Sequence, residues 1–433
     1  MKNLLKSLVL VSSLAIVTGS EGGTTLEPAQ PRQQLESTRI DILGAQLLRA
    51  RLAHMGMENS MVSPVSLFYA LAMLREGAEG YTAELLDSLL LEESATDVRA
   101  VAELLSRVLQ HRADGQIGEF SLVNSVWASN GPDNKQPFYF SSDFSKAVQQ
   151  SYNAEIQNAD FLRPGAAAMV NQWVEKTTQG LITDVIDDIT LSELSWLIIN
   201  AAYFEGAWAT QFRRLNADPE FEFKNVDETA TQLPYIAGRQ TSRVVDHPDG
   251  SIGLSIPFKG GKYAMVIYIP PQTESDVAAW IQNAGVNQLN SVSHKVLSTE
   301  ATVYDYYLRM PPFSYADRIK VDTESPISVD MGLQKLFGEH TNYVPMVDVA
   351  RSSARARRTT LSFIQQDTRI DLDENGAKAA AITVLAGLPK ITSAPPTFPK
   401  RNIDVDRPFL WAIVERASKT PLFTGVVVTP SIK

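Results

Sequence analysis

Cysteine is absent from this chain and histidine is rare in it, and no known motif groups residues with catalytic or metal-binding side chains. The 433-residue sequence contains no cysteine, which excludes a thiolate nucleophile, a disulfide and a sulfur-bound metal. Its five histidines are isolated from one another in the sequence: His54, His111, His247, His294 and His340. No G-x-S-x-G, H-E-x-x-H or G-x-x-x-x-G-K-[ST] string is present. A hydrolase triad assembled only by folding stays open, but the sequence indicates no catalytic residue, metal ligand or cofactor site.

One string has the order of a calcium-binding loop. Residues 371–376, DLDENG, place side-chain oxygens at alternate positions and a glycine sixth, as at the start of an EF-hand. The twelfth position, where that loop needs a bidentate glutamate, is Ile382, and the eighth is Lys378. We therefore do not expect a calcium site here.

A basic cluster stands out in a chain whose formal net charge is −10. Its members are Arg351, Arg355, Arg357 and Arg358. The overall charge argues against a nucleic-acid partner. The cluster could bind a polyanion, but short charge clusters are common on surfaces, so the pattern favours a solvated loop.

The segment 374–400 joins an Ala-rich stretch to a Pro-rich one and has no period typical of a helix. Every second residue from Ala377 is small or uncharged: Ala377, Ala379, Ala381, Thr383, Leu385 and Gly387. In a strand these side chains would share one face, and that face could enter a packed sheet. A short helix over 377–386, with Gly376 and Gly387 at its ends, is the alternative.

The elements that must position these residues include both helices and strands. Helical spacing predicts helices near 42–53, 65–74, 83–91 and 167–177, with Ser63 and Thr82 as N-caps. Strand composition predicts strands at 120–127, 197–204, 252–257, 263–270, 409–415 and 421–428, the third and fourth forming a hairpin. The continuous apolar run 197–204 suits a strand buried on both faces. The sequence therefore predicts an α+β fold with large antiparallel sheets.

The first residues have the order of a secretory signal peptide, because Lys2 and Lys6 precede an apolar stretch. The predicted organisation is a signal peptide (1–20), a disordered or linker segment (21–36) and one domain (37–433). Ser20 stands where a bacterial lipoprotein has its lipidated cysteine, so lipid anchoring there is not possible in this sequence. We expect a secreted protein, periplasmic or extracellular.

Seven strings match one protein family in order and spacing. They are 63–67 (SPVSL), 70–74 (ALAML), 77–82 (GAEGYT), 171–174 (NQWV), 200–206 (NAAYFEG), 406–410 (DRPFL) and 421–427 (PLFTGVV). Together they resemble the serpins, the serine protease inhibitor superfamily, over nearly all of residues 40–432. The resemblance is to a secreted member of bacterial type.

The resemblance implies a serpin fold, with three β-sheets, eight or nine helices and an exposed reactive-centre loop at about 374–405. It also implies a metastable native state that gains stability when the loop inserts as a strand of the central sheet. A protease that attacks the loop would be trapped as an acyl-enzyme, because deacylation needs an aligned base and oxyanion hole. The chain would then be no enzyme but an irreversible suicide-substrate inhibitor.

The family motifs also imply site residues. The hinge of the loop would be Glu374, Gly376, Ala377, Ala379, Ala380 and Ala381. Fourteen residues after the hinge glycine, the reactive bond would join Lys390 to Ile391, with Leu388 and Ile391 as alternative cleavage positions. A lysine there suits the buried carboxylate of a trypsin-like pocket, unless Lys390 is simply an exposed loop residue.

The resemblance further implies a polar latch under the central sheet. It would consist of Ser63, Ser66 and Asn200, with Gln366 where the family often has histidine. Trp208 would mark the point where insertion begins. A non-inhibitory serpin (carrier, chaperone or protease substrate) and an inhibitor of a cysteine protease remain as alternatives. We expect a monomer that needs no cofactor.

Overall fold

The computed structural model describes residues 38–92, 97–110, 119–131, 134–377 and 397–430. The predicted signal peptide and linker lie outside these residues, so the proposed division of the chain stays a prediction. Lys390, Ile391, Leu388 and the hinge residues Ala379, Ala380 and Ala381 also lie outside them.

Ten α-helical segments lie in the described residues. They are α1 Thr38–Met55, α2 Pro64–Glu76, α3 Gly80–Leu90, α4 Val98–Gln110, α5 Ser142–Tyr152, α6 Ala166–Thr177, α7 Asp188–Glu193, α8 Val277–Trp280, α9 Val286–Val296 and α10 Pro326–Asp330. A π-helical turn, Ile281–Gly285, joins α8 directly to α9. With these two counted as one, the described residues contain nine helices, in agreement with the predicted eight or nine.

Seventeen strands build the sheets. They are β1 Ser60–Val62, β2 Glu119–Ser129, β3 Ala154–Ala159, β4 Trp196–Ala207, β5 Arg213–Leu215, β6 Glu222–Lys224, β7 Ala230–Gln232, β8 Tyr235–Asp246, β9 Ile252–Pro257, β10 Tyr263–Ile269, β11 Val303–Met310, β12 Phe313–Val321, β13 Ile364–Leu372, β14 Gly376–Ala377, β15 Lys400–Asp404, β16 Phe409–Glu415 and β17 Pro421–Val427.

The strands of the described residues form three sheets, as predicted. A nine-stranded sheet has the order β1-β17-β16-β10-β9-β8-β11-β15, with β5 on β8. The central sheet has six strands in the order β12-β13-β14-β4-β2-β3, and β6 pairs with β7 alone. Helix α2 contacts both β4 and β17, and its apolar residues are buried almost all round. An all-apolar helix must lie inside the protein, so α2 fills the space between the two large sheets.

The predicted helices and strands are confirmed, with boundaries that differ by a few residues. Ser63 caps α2, because its Oγ accepts a hydrogen bond from Ser66 N at 3.3 Å. The prediction for Thr82 is wrong: α3 begins at Gly80, and Glu79 occupies the N-cap position. The buried Thr82 hydroxyl instead accepts a hydrogen bond from Asn342 N at 2.9 Å, so a tertiary contact takes the place of capping.

Candidate functional site in the gap between β4 and β13

The central sheet is open between two of its strands. β4 and β13 are joined by the two residues of β14, which pair Ala377 with Leu372 on one side and with Gly206 on the other. Beyond β14, no ladder joins β4 to β13 in the described part of the chain. A cavity of about 110 Å³ lies there, lined by residues 194–201 and 360–367. The gap follows the course that a longer β14 would take.

The gap also corrects the prediction that 197–204 is buried on both faces. Ala201 to Phe204 are buried, but Leu197 to Asn200 are only half-buried. These four residues line the cavity, so their backbone and side chains have no strand beside them on that edge.

A tight turn brings the chain from β13 into β14. Asp373 Oδ1 accepts hydrogen bonds from Asn375 N at 2.7 Å and from Gly376 N at 3.3 Å. Asp373 N in turn donates to Gly376 O at 3.0 Å. Gly376 has φ +144°, a conformation that favours glycine. The carboxylate of the calcium-like string thus serves to stabilise a turn.

Trp208 holds this turn from the β4 side. Its backbone N donates to Asn375 O at 3.0 Å, and its indole Nε1 donates to Asp373 O at 2.9 Å. The indole is only 1% exposed and stacks on Phe258 with ring centroids 4.6 Å apart. Trp208 is therefore both a core residue and the support of the turn where β14 begins.

Two polar contacts form the outer edge of the turn. Gln211 Nε2 donates to Asn375 Oδ1 at 2.9 Å. Arg214 forms an ion pair with Glu374 at 3.4 Å, and both side chains are partly exposed. Such pairs contribute about 0–1 kcal/mol, so this contact orients the hinge more than it stabilises it.

Gln366 bonds β13 to the start of α2. Its Oε1 accepts from Ser63 N and its Nε2 donates to Ser63 O, both at 2.9 Å. Ser63 Oγ donates to Leu422 O at 2.8 Å, which extends the contact to β17. Gln366 thus bonds to both backbone groups of Ser63 in a buried site, where Ser63 O also accepts from Leu67 N at 3.1 Å, and Ser66 is linked to this group through the Ser63 cap.

Asn200 lies on the opposite side of the gap from Gln366 and Ser63. Its side chain bonds to a residue of β2 and not to this group. Its Nδ2 donates to Asn124 Oδ1, and Asn124 Nδ2 donates to Tyr152 O at 2.7 Å. Asn200 Oδ1 is buried and has no hydrogen-bond partner in the described structure. Asn200 and Gln366 both line the cavity. The structure therefore groups Ser63, Ser66 and Gln366 on one side and leaves Asn200 on the other.

A buried ion pair next to this site was not predicted from the sequence. Asp317 Oδ1 lies 3.3 Å from Arg51 Nε, and Asp317 Oδ2 accepts from Met61 N at 3.2 Å. Burial raises the pKa of the Asp317 carboxyl, and the Arg51 guanidinium opposes that rise. The available signal was an aspartate at a core-facing position of β12, between Tyr315 and Ile319. These contacts attach the edge strand β12 to α1 and β1.

The basic cluster lies at the far end of the gap. Its four members are exposed: Arg351, Arg355, Arg357 and Arg358. The next residue, Thr359, accepts a hydrogen bond through its Oγ1 from Trp196 Nε1 at 2.6 Å. Trp196 is the first residue of β4, so the cluster sits where the gap ends.

The other candidate groups do not form a second site in the described residues. The cavity lining contains no histidine. Among the residues that the structure describes, no group of three or more His, Asp or Glu could hold a metal ion. In the same residues, no helix is long and apolar enough to cross a membrane.

Comparison with known proteins identifies the family. Residues 39–430 match the family model described as "Serpin (serine protease inhibitor)". The chain belongs to the serpin family. It is 28% identical to Serpin-Z2A of Triticum aestivum over 386 residues, which cover 86% of this chain and 90% of that protein. It is 26% identical to neuroserpin of Gallus gallus over 388 residues, 86% of each protein.

A solved structure shows the same fold. The crystal structure of Serpin48, from the insect Tenebrio molitor, matches with a TM-score of 0.72 and 22% identity, covering 93% of this chain and 100% of that one. The predicted α+β serpin fold with three sheets is thus confirmed. Serpins are generally protease inhibitors rather than enzymes.

Proposed function

We propose that this serpin is an irreversible suicide-substrate inhibitor of trypsin-like serine endopeptidases, and that it acts as a monomer outside the cytoplasm. The observation that carries the proposal is the position of β14. Gly376 and Ala377, two residues of the predicted hinge, already pair with β4, and Ala377 also pairs with β13. The gap beyond them continues in the direction in which the loop would insert.

The pairing of β14 sets the register of a longer inserted strand. Thr383 is six residues beyond Ala377, and six residues back from its partners Gly206 and Leu372 are Asn200 and Gln366. Thr383 would therefore lie between the two cavity-lining amides. Ala377 is 2% exposed and faces the core, so every second residue after it, up to Gly387, would face the core as well.

Insertion of this kind would lower the free energy of the cleaved protein. The new strand would satisfy backbone groups on the facing edges of β4 and β13 and would cover the half-buried residues of the gap. Before cleavage, the loop is tied at β15 as well as at β14. This constraint can hold the native form behind a kinetic barrier, and cleavage removes the constraint.

In the proposed reaction, the serine of the protease attacks the carbonyl carbon of Lys390. The Lys390–Ile391 bond breaks, the amine of Ile391 leaves with the proton supplied by the protease histidine, and Lys390 remains as an ester. Insertion then carries the esterified protease along the gap. Distortion of its base and oxyanion hole leaves the ester unhydrolysed. No catalytic group of this chain takes part.

The experiment is incubation with trypsin at increasing molar ratios. We expect a complex of both chains that survives denaturing electrophoresis and a released fragment whose new N-terminus is Ile391. A fragment beginning at Pro389 or at Thr392 would move the cleavage site to one of the alternatives. Simple turnover without a complex, together with no rise in melting temperature of the cleaved protein, would reject the inhibitor and favour a non-inhibitory serpin. If a complex formed only with a cysteine protease, the proposed target class would change from serine to cysteine proteases.

A further inference from the structure

The basic cluster (Arg351, Arg355, Arg357 and Arg358) lies at the far end of the gap and has no role in the inhibition proposed above. We propose that it is a docking surface for the trapped protease, and that it acts only after the loop has inserted. The inference rests on the proposed function, because it concerns the complex that insertion produces. The partner is a trypsin-like protease whose surface near the active site is acidic.

The register of β14 determines where the protease would arrive. Trp196, the first residue of β4, is 10 residues back from Gly206, the partner of Ala377, and Lys390 is 13 residues beyond Ala377. An inserted strand in this register would therefore carry the ester at Lys390 just past Trp196, which is bonded to Thr359, the residue that follows Arg358. Any protease held by that ester must rest on the surface around the cluster.

The cluster is preorganised because its loop is fixed to a neighbouring segment. Ser353 N donates to Pro137 O and Tyr139 N donates to Ser352 Oγ, both at 2.9 Å. The Arg351 guanidinium lies 4.0 Å from the centroid of the Tyr139 ring. Little conformational freedom would be lost when a partner binds such a surface.

The positive charge of the cluster is largely free to meet a partner. Arg351 lies 4.0 Å from Asp348, whereas Arg355 and Arg357 bond to the uncharged groups Gln136 Oε1 and Ser352 O. The Arg358 side chain has no hydrogen bond or ion pair with the described residues. In a chain of net charge −10, this end of the gap is a local site of attraction for an acidic surface.

The cluster should affect the trapped complex but not the first encounter. β4 has 12 residues, so at roughly 3.3 Å per residue the cluster lies about 40 Å from β14. The Debye length is about 8 Å at physiological ionic strength. A protease that first attacks the loop is therefore screened from the cluster, and only insertion brings the two together.

The test compares three inhibitors against two trypsins of opposite net charge. The inhibitors are the wild type, the charge-reversed R355E/R357E/R358E and the charge-preserving R355K/R357K/R358K. Arg351 is left in place because it packs on Tyr139. For each pair, the association rate constant and the rate of release of active trypsin from the purified complex are measured, with a thermal melt to show that each variant is folded.

With anionic trypsin, we expect the charge-reversed variant to release active enzyme roughly 3- to 30-fold faster than the wild type, as the loss of several exposed ion pairs predicts. Its association rate constant should stay within about twofold, because the encounter is screened. The lysine variant should behave as the wild type. With cationic trypsin, the charge-reversed variant should release no faster than the wild type.

Failure of the inference can be told from failure of the proposed function. If the wild type forms no denaturant-resistant complex, the proposed function fails. If it forms one and all three inhibitors release anionic trypsin at the same rate, only the docking surface is rejected. If a sulfated polysaccharide accelerates association of the wild type but not of the charge-reversed variant, the cluster is a polyanion site and the inference is overturned.

Discussion

Gly376 lies so close to Gly206 that a β-carbon built on Gly376 would be 2.0 Å from the Gly206 carbonyl oxygen. The contact is between two backbones, so no side chain can move to relieve it. Together with φ +144° at Gly376, it makes glycine necessary where the hinge enters the sheet.

We therefore expect Gly376→Ala to release β14 from between β4 and β13. Insertion after cleavage would start more slowly, so more of the attacked molecules would be hydrolysed before the protease is trapped. The measurement is the number of inhibitor molecules consumed per trypsin inactivated, which should rise severalfold. An unchanged number would show that the β14 pairing does not limit insertion.

Two substitutions of Trp208 compare the contributions of its packing and of its hydrogen bond to the stability of the protein. Trp208→Phe keeps an aromatic ring next to Phe258 but removes the Nε1 donor to Asp373 O. The lost hydrogen bond should cost about 1 kcal/mol, and the smaller phenyl ring adds a limited packing loss, whereas Trp208→Ala should cost about 3–5 kcal/mol because it leaves a large cavity. Urea unfolding of the uncleaved protein measures both. Equal losses for the two variants would mean that the indole acts through the hydrogen bond alone.

Gln366 should be important for the stability of the native form. Gln366→Ala leaves Ser63 N without its partner and removes one of two hydrogen bonds to Ser63 O, which also accepts from Leu67 N at 3.1 Å. An unsatisfied buried group costs about 1–3 kcal/mol, so we expect a clear fall in the melting temperature of the uncleaved protein. The matched control is Gln365→Ala on the opposite face of β13, where the side chain is only half-buried. A fall of similar size in the control would contradict the role given to Gln366.

The lowered pKa of His247 predicts that the stability of the folded protein depends on pH. Burial lowers its pKa below the ordinary value, and the nearby charge of Lys295 adds to this effect, while Asp249 and Asp246 oppose it. The unfolded chain therefore takes up this proton at a higher pH than the folded chain. The contribution of His247 is fully present above an unfolded pKa of about 6.5 and is lost as the pH falls below it.

The check is the melting temperature of the wild type and of His247→Phe between pH 7.5 and 5. Phenylalanine keeps a ring beside Tyr268, whose centroid lies 5.5 Å from that of His247, but it cannot titrate. We expect the variant to lose less stability than the wild type on acidification. Parallel pH profiles would exclude His247 as the titrating group.

The strength of the local pattern decides how much of this fold could be predicted. Ile252–Pro257 and Phe409–Glu415 were predicted to the residue, because each is an apolar run bounded by turn residues. The predictions of the hinge and of the role of Gln366 depend on the family resemblance rather than on periodicity. The amphipathic helix α4 was missed, although its apolar residues recur at helical spacing.

The contacts that complete the site could not be predicted in the same way. Arg214 and Glu374 are 160 residues apart in the sequence, and Arg51 and Asp317 are 266 apart. The core-facing position of Asp317 indicates that it is buried but not that Arg51 is its partner, and nothing local indicates the partner of Arg214. Arg214 lies on β5 and Glu374 in the turn after β13, whereas Arg51 lies on α1 and Asp317 on β12. The packing of separate elements brings each pair together, so the partner choice depends on the tertiary structure.

The predicted faces of the inserted strand can be tested with two lysines placed one residue apart. In an inserted strand, Ala381, four residues beyond the buried Ala377, would share its core-facing side, whereas Ala380 would lie on the opposite face with Lys378. Ala381→Lys would have to bury a charge against the core, which is costly without a partner. We expect Ala381→Lys to be cleaved by trypsin as a plain substrate, with no denaturant-resistant complex and no rise in melting temperature after cleavage. Ala380→Lys should keep most of the inhibition. The opposite result would shift the register of insertion by one residue, and equal inhibition by both variants would show that this segment does not enter the sheet.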